Sequence, residues 1–281
     1  MKFNEGILAI IVLYRTKLSD SKTFLSLTEA LKFSDMKLDL FVYDNSPQYN
    51  IDSSFEHDNW QITFKPDINN GGVSEAYNQG ADLAVEKGKK WIMLFDQDTT
   101  FPQNTINKYI EAITNYPEDK LFAPIMLVDS QNIVSPCHFR FMRGFYLRHI
   151  DVGPNSLNKL SIINSGMCIA VEAFKKNMGY NAQIKLDFSD HDFIKRFKKT
   201  VTDRFIVITL KVHHELSSSG KNSMNSDLTR FDYYLKGSEQ MSSSMYEKVF
   251  LKAHAGLRSL KLSLIHRNLS FVFKFLKSWM V

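Results

Sequence analysis

The sequence is poor in cysteine: Cys137 and Cys168 are the only two in 281 residues. Two thiols make no disulfide framework, and nothing around them has metal-ligand spacing. They read as buried free thiols of a reducing compartment. Long apolar runs are missing too, and no uncharged stretch reaches the roughly 18 residues that span a bilayer. The N-terminal run Ile7–Tyr14 is short, and Arg15 and Lys17 follow it instead of a small-residue cleavage site. It reads as a buried strand and not as a signal peptide. There is no internal repeat, and low complexity is confined to the polar, serine-rich loop Ser217–Ser226. Hydrophobic residues at 44% and charged residues at 23% are ordinary globular values, which excludes disorder and collagen.

Most of the chain also lacks an excess of either charge. The formal net charge is +5, yet seven basic residues against only Glu247 lie from Tyr246 onward. The body before them is near neutral. A basic nucleic-acid-binding domain carries its charge on the domain itself, so no nucleic-acid partner is expected. Within the tail, Leu257–Met280 has apolar residues at helical spacing, interrupted by Lys261, Arg267, Lys274 and Lys277. Two readings stay open: a helix packed on the body, or an interfacial helix on an anionic membrane.

What is present is an alternation of short apolar runs and helical patterns. Strands are expected at Ile7–Tyr14, Leu38–Tyr43, Gln61–Phe64 and Trp91–Phe95, with helices around Ser21–Phe33, Val73–Lys87 and Gln103–Asn115. This order implies an α/β fold: an open, mostly parallel sheet flanked by helices, binding its ligand beyond the strands' carboxyl ends. The second half is less regular, with candidate strands at Phe122–Val128, Ile133–Val134, Met167–Val171 and Phe205–Leu210. A helix is expected at Asp190–Lys199, and two more, Asp227–Ala255 and Leu257–Met280, close the chain.

Polar groups recur where these strands end. Tyr14 follows the first, Asp44-Asn45-Ser46 the second and Asp96-Gln97-Asp98 the fourth, so they should meet along one rim. Two carboxylates two residues apart can reach one hard divalent cation, Mg²⁺ or Mn²⁺; Asp is equally a common helix cap. Asn70-Gly71-Gly72-Val73-Ser74 reads as a turn into a helix. Gly80 then falls inside that helix, where glycine costs ~1 kcal/mol relative to alanine and so needs a close-packing or functional reason. Leu186–Phe193 supplies three acids, Asp187, Asp190 and Asp192, which read as first-turn helix acids or as candidates for a general base. His213 and His214 are neighbours, so on a strand only one of them can enter a cleft.

The run Asn70, Gly72, Ala76, Asn78, Gly80, then Asp96 and Asp98, resembles family 2 glycosyltransferases: inverting, metal-dependent enzymes of the GT-A fold that use nucleotide-sugar donors. The likeness covers roughly residues 5–235. Asp44-Asn45-Ser46 resembles the family's base-contacting segment, and Tyr14 its aromatic residue after the first strand. The nearest likeness is to the bacterial rhamnosyltransferase branch, through Phe95–Thr99, Asn164-Ser165-Gly166, His214-Glu215-Leu216 and Arg230–Tyr234. Ser217, where glycine is usual, and Lys236-Gly237, where Arg-Asn is usual, depart from it.

The resemblance implies donor-side roles for Tyr14, Asp44, Asn70, Gly72, Asn78 and Asp96. It implies a metal held by Asp98, Asp96 and His214, and acceptor-side places for Ser165, Gly166 and Asp187. Asp190 corresponds to the general base and Asp192 to the acid that orients it. The expected reaction moves a sugar, rhamnose from dTDP-rhamnose by the nearest likeness, to a glycan or lipid-linked acceptor. A UDP-hexose or UDP-galactofuranose donor, and a non-catalytic nucleotide-sugar- or glycan-binding protein at the membrane, remain alternatives. A nucleotidyltransferase would need a glycine-rich phosphate loop after the first strand, and Leu13–Lys17 has no glycine. The expected organisation is a catalytic domain over 1–235 and a basic helical extension over 236–281. The expected location is cytoplasmic, peripheral on the inner face of the plasma membrane.

Overall fold

The computed structural model describes residues 6–33, 36–50, 57–214 and 223–279. Glu215 and Leu216, part of the His214-Glu215-Leu216 likeness, and most of the Ser217–Ser226 loop lie outside the described residues.

Strand β1 (Ile7–Leu13) runs parallel to β2 (Leu38–Asp44) and to β4 (Trp91–Asp96), and β3 (Trp60–Pro66) adds parallel to β2. Every residue of β1 is buried because the sheet is covered on both faces. Alternation divides its side chains between the two cores. Leu8, Ile10 and Val12 pack with Ala76, Tyr77 and Ala81 of α2 (Gly72–Glu86). Ile7, Ile11 and Leu13 pack with Phe24 and Leu27 of α1 (Lys22–Lys32) and Tyr109 of α3 (Thr105–Asn115). The interior glycine of α2 has a packing reason: a Cβ on Gly80 would stand 2.4 Å from Ile10 Cδ1. Its absence lets the helix sit close on the sheet.

The sheet continues past β4 through β11 (Cys168–Ala170), which is antiparallel to both its neighbours, to β6 (Leu121–Leu127). The described sheet is thus mixed, and curled by its second half. Strand β12 (Arg204–His214) is parallel to β6 and runs four residues beyond the expected Leu210. The extra residues pair with the two-residue strand β5 (Thr99–Thr100), with His214 opposite Thr99. Sequence reasoning passed over β5, β8 (Arg143–Leu147), β9 (Gly153–Ser156), β10 (Leu160–Ser161) and α4 (Val171–Lys176), and shortened β7 (Ile133–Arg140). All but β7 are too short for periodicity to register. Cys137 and Cys168 are free and buried.

After β12 the described residues form three helices where two were expected: α6 (Met224–Met241), α7 (Met245–His266) and α8 (Ser270–Trp279). Ser244 caps α7 by accepting the Glu247 N–H, and Arg267, in a left-handed conformation at φ 49°, ends it. The boundary expected at 235/236 falls inside α6. The three helices enclose their own core of Phe231, Leu235, Ala255 and Phe271. No described helix is long and apolar enough to cross a membrane.

Candidate active site

Register assembles one wall of the cleft. Val12 lies opposite Asp96 and Leu13 opposite Asp44, so three parallel strands end together. Tyr14 and Gln97, the middle residue of the D-x-D, bond in both directions: the Tyr14 N–H donates to Gln97 Oε1 at 2.7 Å, and Gln97 Nε2 donates to the Tyr14 carbonyl at 3.1 Å. Asp96 accepts from the Tyr77 hydroxyl at 3.1 Å. Burial, first, and then the charge of Asp98 push the Asp96 carboxyl up to about 6, against His214 and the Tyr77 hydrogen bond; Asp190 adds to the rise.

The β5–β12 pairing carries His214 to the same place. Its Nδ1 stands 3.6 Å from Asp98 and 3.0 Å from the Thr99 hydroxyl. Two carboxylates and an imidazole suit Mg²⁺ or Mn²⁺ in donor type. Among the described residues, however, no three His, Cys, Asp or Glu side chains are already closed into a metal cage. A cation here would need further oxygen donors.

The opposite wall is the loop before α5 (Ser189–Thr200) and that helix's first turn. Asp187, Asp190 and His191 line the cleft, whose volume is about 960 Å³. The charge of Asp190 helps to raise the Tyr77 and Tyr180 hydroxyls, after burial, as well as the Asp96 carboxyl. Asp192 is turned away: it is buried, accepts from Arg196 Nε at 2.8 Å and does not line the cleft. Residues two apart on a helix differ by about 200° in direction, so both acids cannot face one cleft. His191 bonds the Ser161 hydroxyl at 2.7 Å and packs on the Phe139 ring. Sequence reasoning missed it, although it stands between the two acids.

The structure brings Tyr14, Asn70, Gly72, Asp96, Asp98, Asp187, Asp190 and His214 to one cleft. Gly72 belongs there because its φ is +85° and a Cβ would lie 2.3 Å from the Lys185 carbonyl. The remaining expected residues sit behind the wall. Asp44 is fully buried, accepting from Ser46 N at 2.8 Å and Asn50 Nδ2 at 2.7 Å. Its neighbour Asn45 lines the cleft instead and accepts the Gly72 N–H. Asn78 clamps the backbone of Tyr180 through both amide atoms. Ser165 bonds the Thr99 hydroxyl at 2.9 Å, and the Gly166 carbonyl accepts from Tyr109. Lys185, Arg230, Tyr233, Tyr234 and His254 line the cleft as well. Of these, only Arg230, Tyr233 and Tyr234 carried a sequence signal, the Arg-x-x-Tyr-Tyr segment.

Residues 12–165 match the sequence profile described as Glycosyl transferase family 2. No curated protein matches the sequence. Among solved structures, S. aureus TarS 1–349 in complex with UDP-GlcNAc superposes with a TM-score of 0.55 at 12% identity, covering 90% of this chain and 72% of that one. The mannosyltransferase PcManGT from Pyrobaculum calidifontis, in complex with GDP-Man and Mn²⁺, gives 0.54 at 11% identity over 97% and 74%. At such identities the likeness is one of fold.

Proposed function

The chain belongs to glycosyl transferase family 2 and is a glycosyltransferase, and on that premise we propose that it transfers a sugar from a nucleotide donor with inversion, using Asp190 as the base. The observation that carries the reading is a single cleft lined by Tyr14, Asp96, Asp98 and His214 from the strand rim and by Asp190 from the first turn of α5. The nucleotide occupies the rim side, where Asn45, Asn70 and Gly72 border the cleft. Asp98, Asp96 and His214 would hold a divalent cation, which supplies Lewis-acid stabilisation of the departing diphosphate. The raised carboxyl of Asp96 fits a site waiting for positive charge. Asp190 takes the proton from an acceptor hydroxyl, whose oxygen displaces the diphosphate in line at the anomeric carbon. Inversion follows from this single displacement.

The TarS and PcManGT complexes hold UDP-GlcNAc and GDP-Man respectively; the branch likeness points instead to dTDP-rhamnose. A thermal-shift screen of dTDP-, UDP- and GDP-sugars with Mg²⁺ and Mn²⁺ separates them, and no response to any would defeat the donor assignment. For the base, Asp190→Asn is expected to lower transfer by orders of magnitude while donor binding persists; transfer at the normal rate would remove Asp190 from the role.

We propose that the tail serves both readings of its sequence. One face of α7 and α8 packs inward, with Ala255 and Phe271 buried. The other exposes Leu257, Leu260, Leu264 and Phe273, at 54–79%, beside Lys261, Arg267 and Lys277. This face fits an anionic bilayer, each basic residue contributing about 1 kcal/mol near the surface. Leu260→Gln with Leu264→Gln should release the chain from phosphatidylglycerol vesicles; undiminished binding would leave the face without that role.

A further inference from the structure

We propose that Arg230 and Arg258 form a phosphate-binding subsite at the helical end of the cleft, for a phosphate or diphosphate carried by the acceptor. This rests on the transfer reading above, with Asp190 on the acceptor side. Two guanidinium groups converge there on a single carboxylate oxygen. Arg258 Nη1 is 3.4 Å from Asp187 Oδ1, and Arg230 Nη2 is 3.8 Å from the same atom. Both contacts are long for charge-assisted hydrogen bonds, which close to about 2.7–2.9 Å. The other oxygen of Asp187 and the Nε of Arg230 are buried with no hydrogen-bond partner.

Buried polar groups left in that state are destabilising, so the arrangement suits a ligand that completes it. An arginine offers five N–H donors in a fixed fork that matches phosphate oxygens. The fork of Arg258 is held in place by the Tyr234 ring, 4.2 Å from its centroid. Arg143 lines the same cleft. Two guanidinium groups therefore share one carboxylate, with a third arginine in the same cleft, and the local excess is positive.

The acceptor is the source the geometry favours. The rim that would take the donor's diphosphate is built from strand ends, whereas this cluster comes from α6, α7 and the loop three residues before Asp190. Arg258 also sits on the helix whose outer face carries Leu257, Leu260 and Leu264. An acceptor anchored in a bilayer by a phosphate-bearing lipid would meet both faces of that helix.

The test uses the full chain and inorganic pyrophosphate in EDTA, conditions in which the carboxylates of the D-x-D repel the probe. Calorimetric titration should show binding that weakens at least tenfold in Arg230→Gln/Arg258→Gln and is unchanged in Asp98→Ala. Arg258→Lys should recover part of it. In a separate titration in EDTA-free buffer, saturating UDP or dTDP with Mn²⁺ should leave pyrophosphate affinity unaltered. No binding to the wild type, equal binding to the double variant, or competition by the nucleotide, which would assign the cluster to the donor, each overturns the proposal. If the double variant melts early, the partly exposed Arg230→Gln alone serves, with a smaller loss expected. Mn²⁺-dependent nucleotide binding by the same variants keeps failure of this subsite distinct from failure of the transferase reading.

Discussion

The two walls of the cleft are made by different means. On the strand side, backbone pairing fixes position: Asp96 is where it is because Val12 lies opposite it, and His214 because it pairs with Thr99. On the helical side, side chains hold side chains: Asp187 with Arg258, Lys185 against the Tyr233 ring, and His191 on Phe139. A sheet edge keeps its geometry when one side chain is cut back. A network of ion pairs and rings shares its geometry among all its members, so a single truncation spreads. Substitutions on the strand side should therefore change chemistry without changing the fold, and those on the helical side should do both.

The largest effect comes from the first turn of α5, on the helical wall. Asp190→Asn should lower transfer roughly 10²- to 10⁴-fold, the range for a lost general base, with donor affinity retained. Next comes the strand wall alone. Asp98→Ala should weaken Mn²⁺-dependent nucleotide binding roughly 10–100-fold, the loss of one charge-assisted contact, at an unchanged melting temperature. A large drop in melting temperature would show that the carboxylate supports the fold and would spoil the contrast.

Asp192 separates the walls from what lies behind them. Its pairing with Arg196, which also donates to the Asn177 carbonyl at 2.7 Å, makes it a support. Asp192→Asn should cost about 1–3 kcal/mol of stability and leave turnover near normal at temperatures where the protein is folded. Turnover falling as far as in Asp190→Asn would return Asp192 to the catalytic pair.

The smallest effect belongs to a carboxylate on neither wall. Asp39 opens β2, bonded by Lys87 and Lys89. Burial opposes its charge, but these two lysines hold its carboxyl below the usual range. A depressed folded value means that the pair stabilises the protein above about pH 4, and that this contribution is lost as pH falls through the folded value. Asp39→Asn should thus lower the melting temperature by about 2–4 °C at pH 7, and the difference should shrink in acid. A constant difference would point to packing rather than charge.

How far the sequence discloses each wall follows from the same contrast. The parallel strands and the D-x-D were legible because a buried strand writes a short apolar run and its end writes a polar one. Asp44 and Asn78 were recognised as motif residues, yet their side chains are occupied by Asn50 and Tyr180. A motif records that a residue type is needed, and not whether a ligand or the protein needs it. His214 was chosen over His213 by resemblance; the β5 pairing that places it comes from two residues, too few to form a pattern. Lys185 and His254 gave no signal, since contacts across long separations leave no local period. The tail's charge was visible, but its break at Arg267 was not, because a left-handed arginine looks in sequence like any other.

The reciprocal bonds of Tyr14 and Gln97 have a wider meaning. A primary amide can present one of its two N–H donors and its carbonyl oxygen side by side in one plane, much as a strand residue presents its own N–H and C=O. Gln97 uses its side chain as a counterfeit peptide, adding one rung to the ladder between the first and fourth strands beyond the point where the strands themselves stop. The two aspartates of the D-x-D flank that rung, so a turn by backbone shape is braced like a sheet. A glutamate in its place would set an oxygen against the Tyr14 carbonyl and open the rung, loosening both carboxylates without touching either.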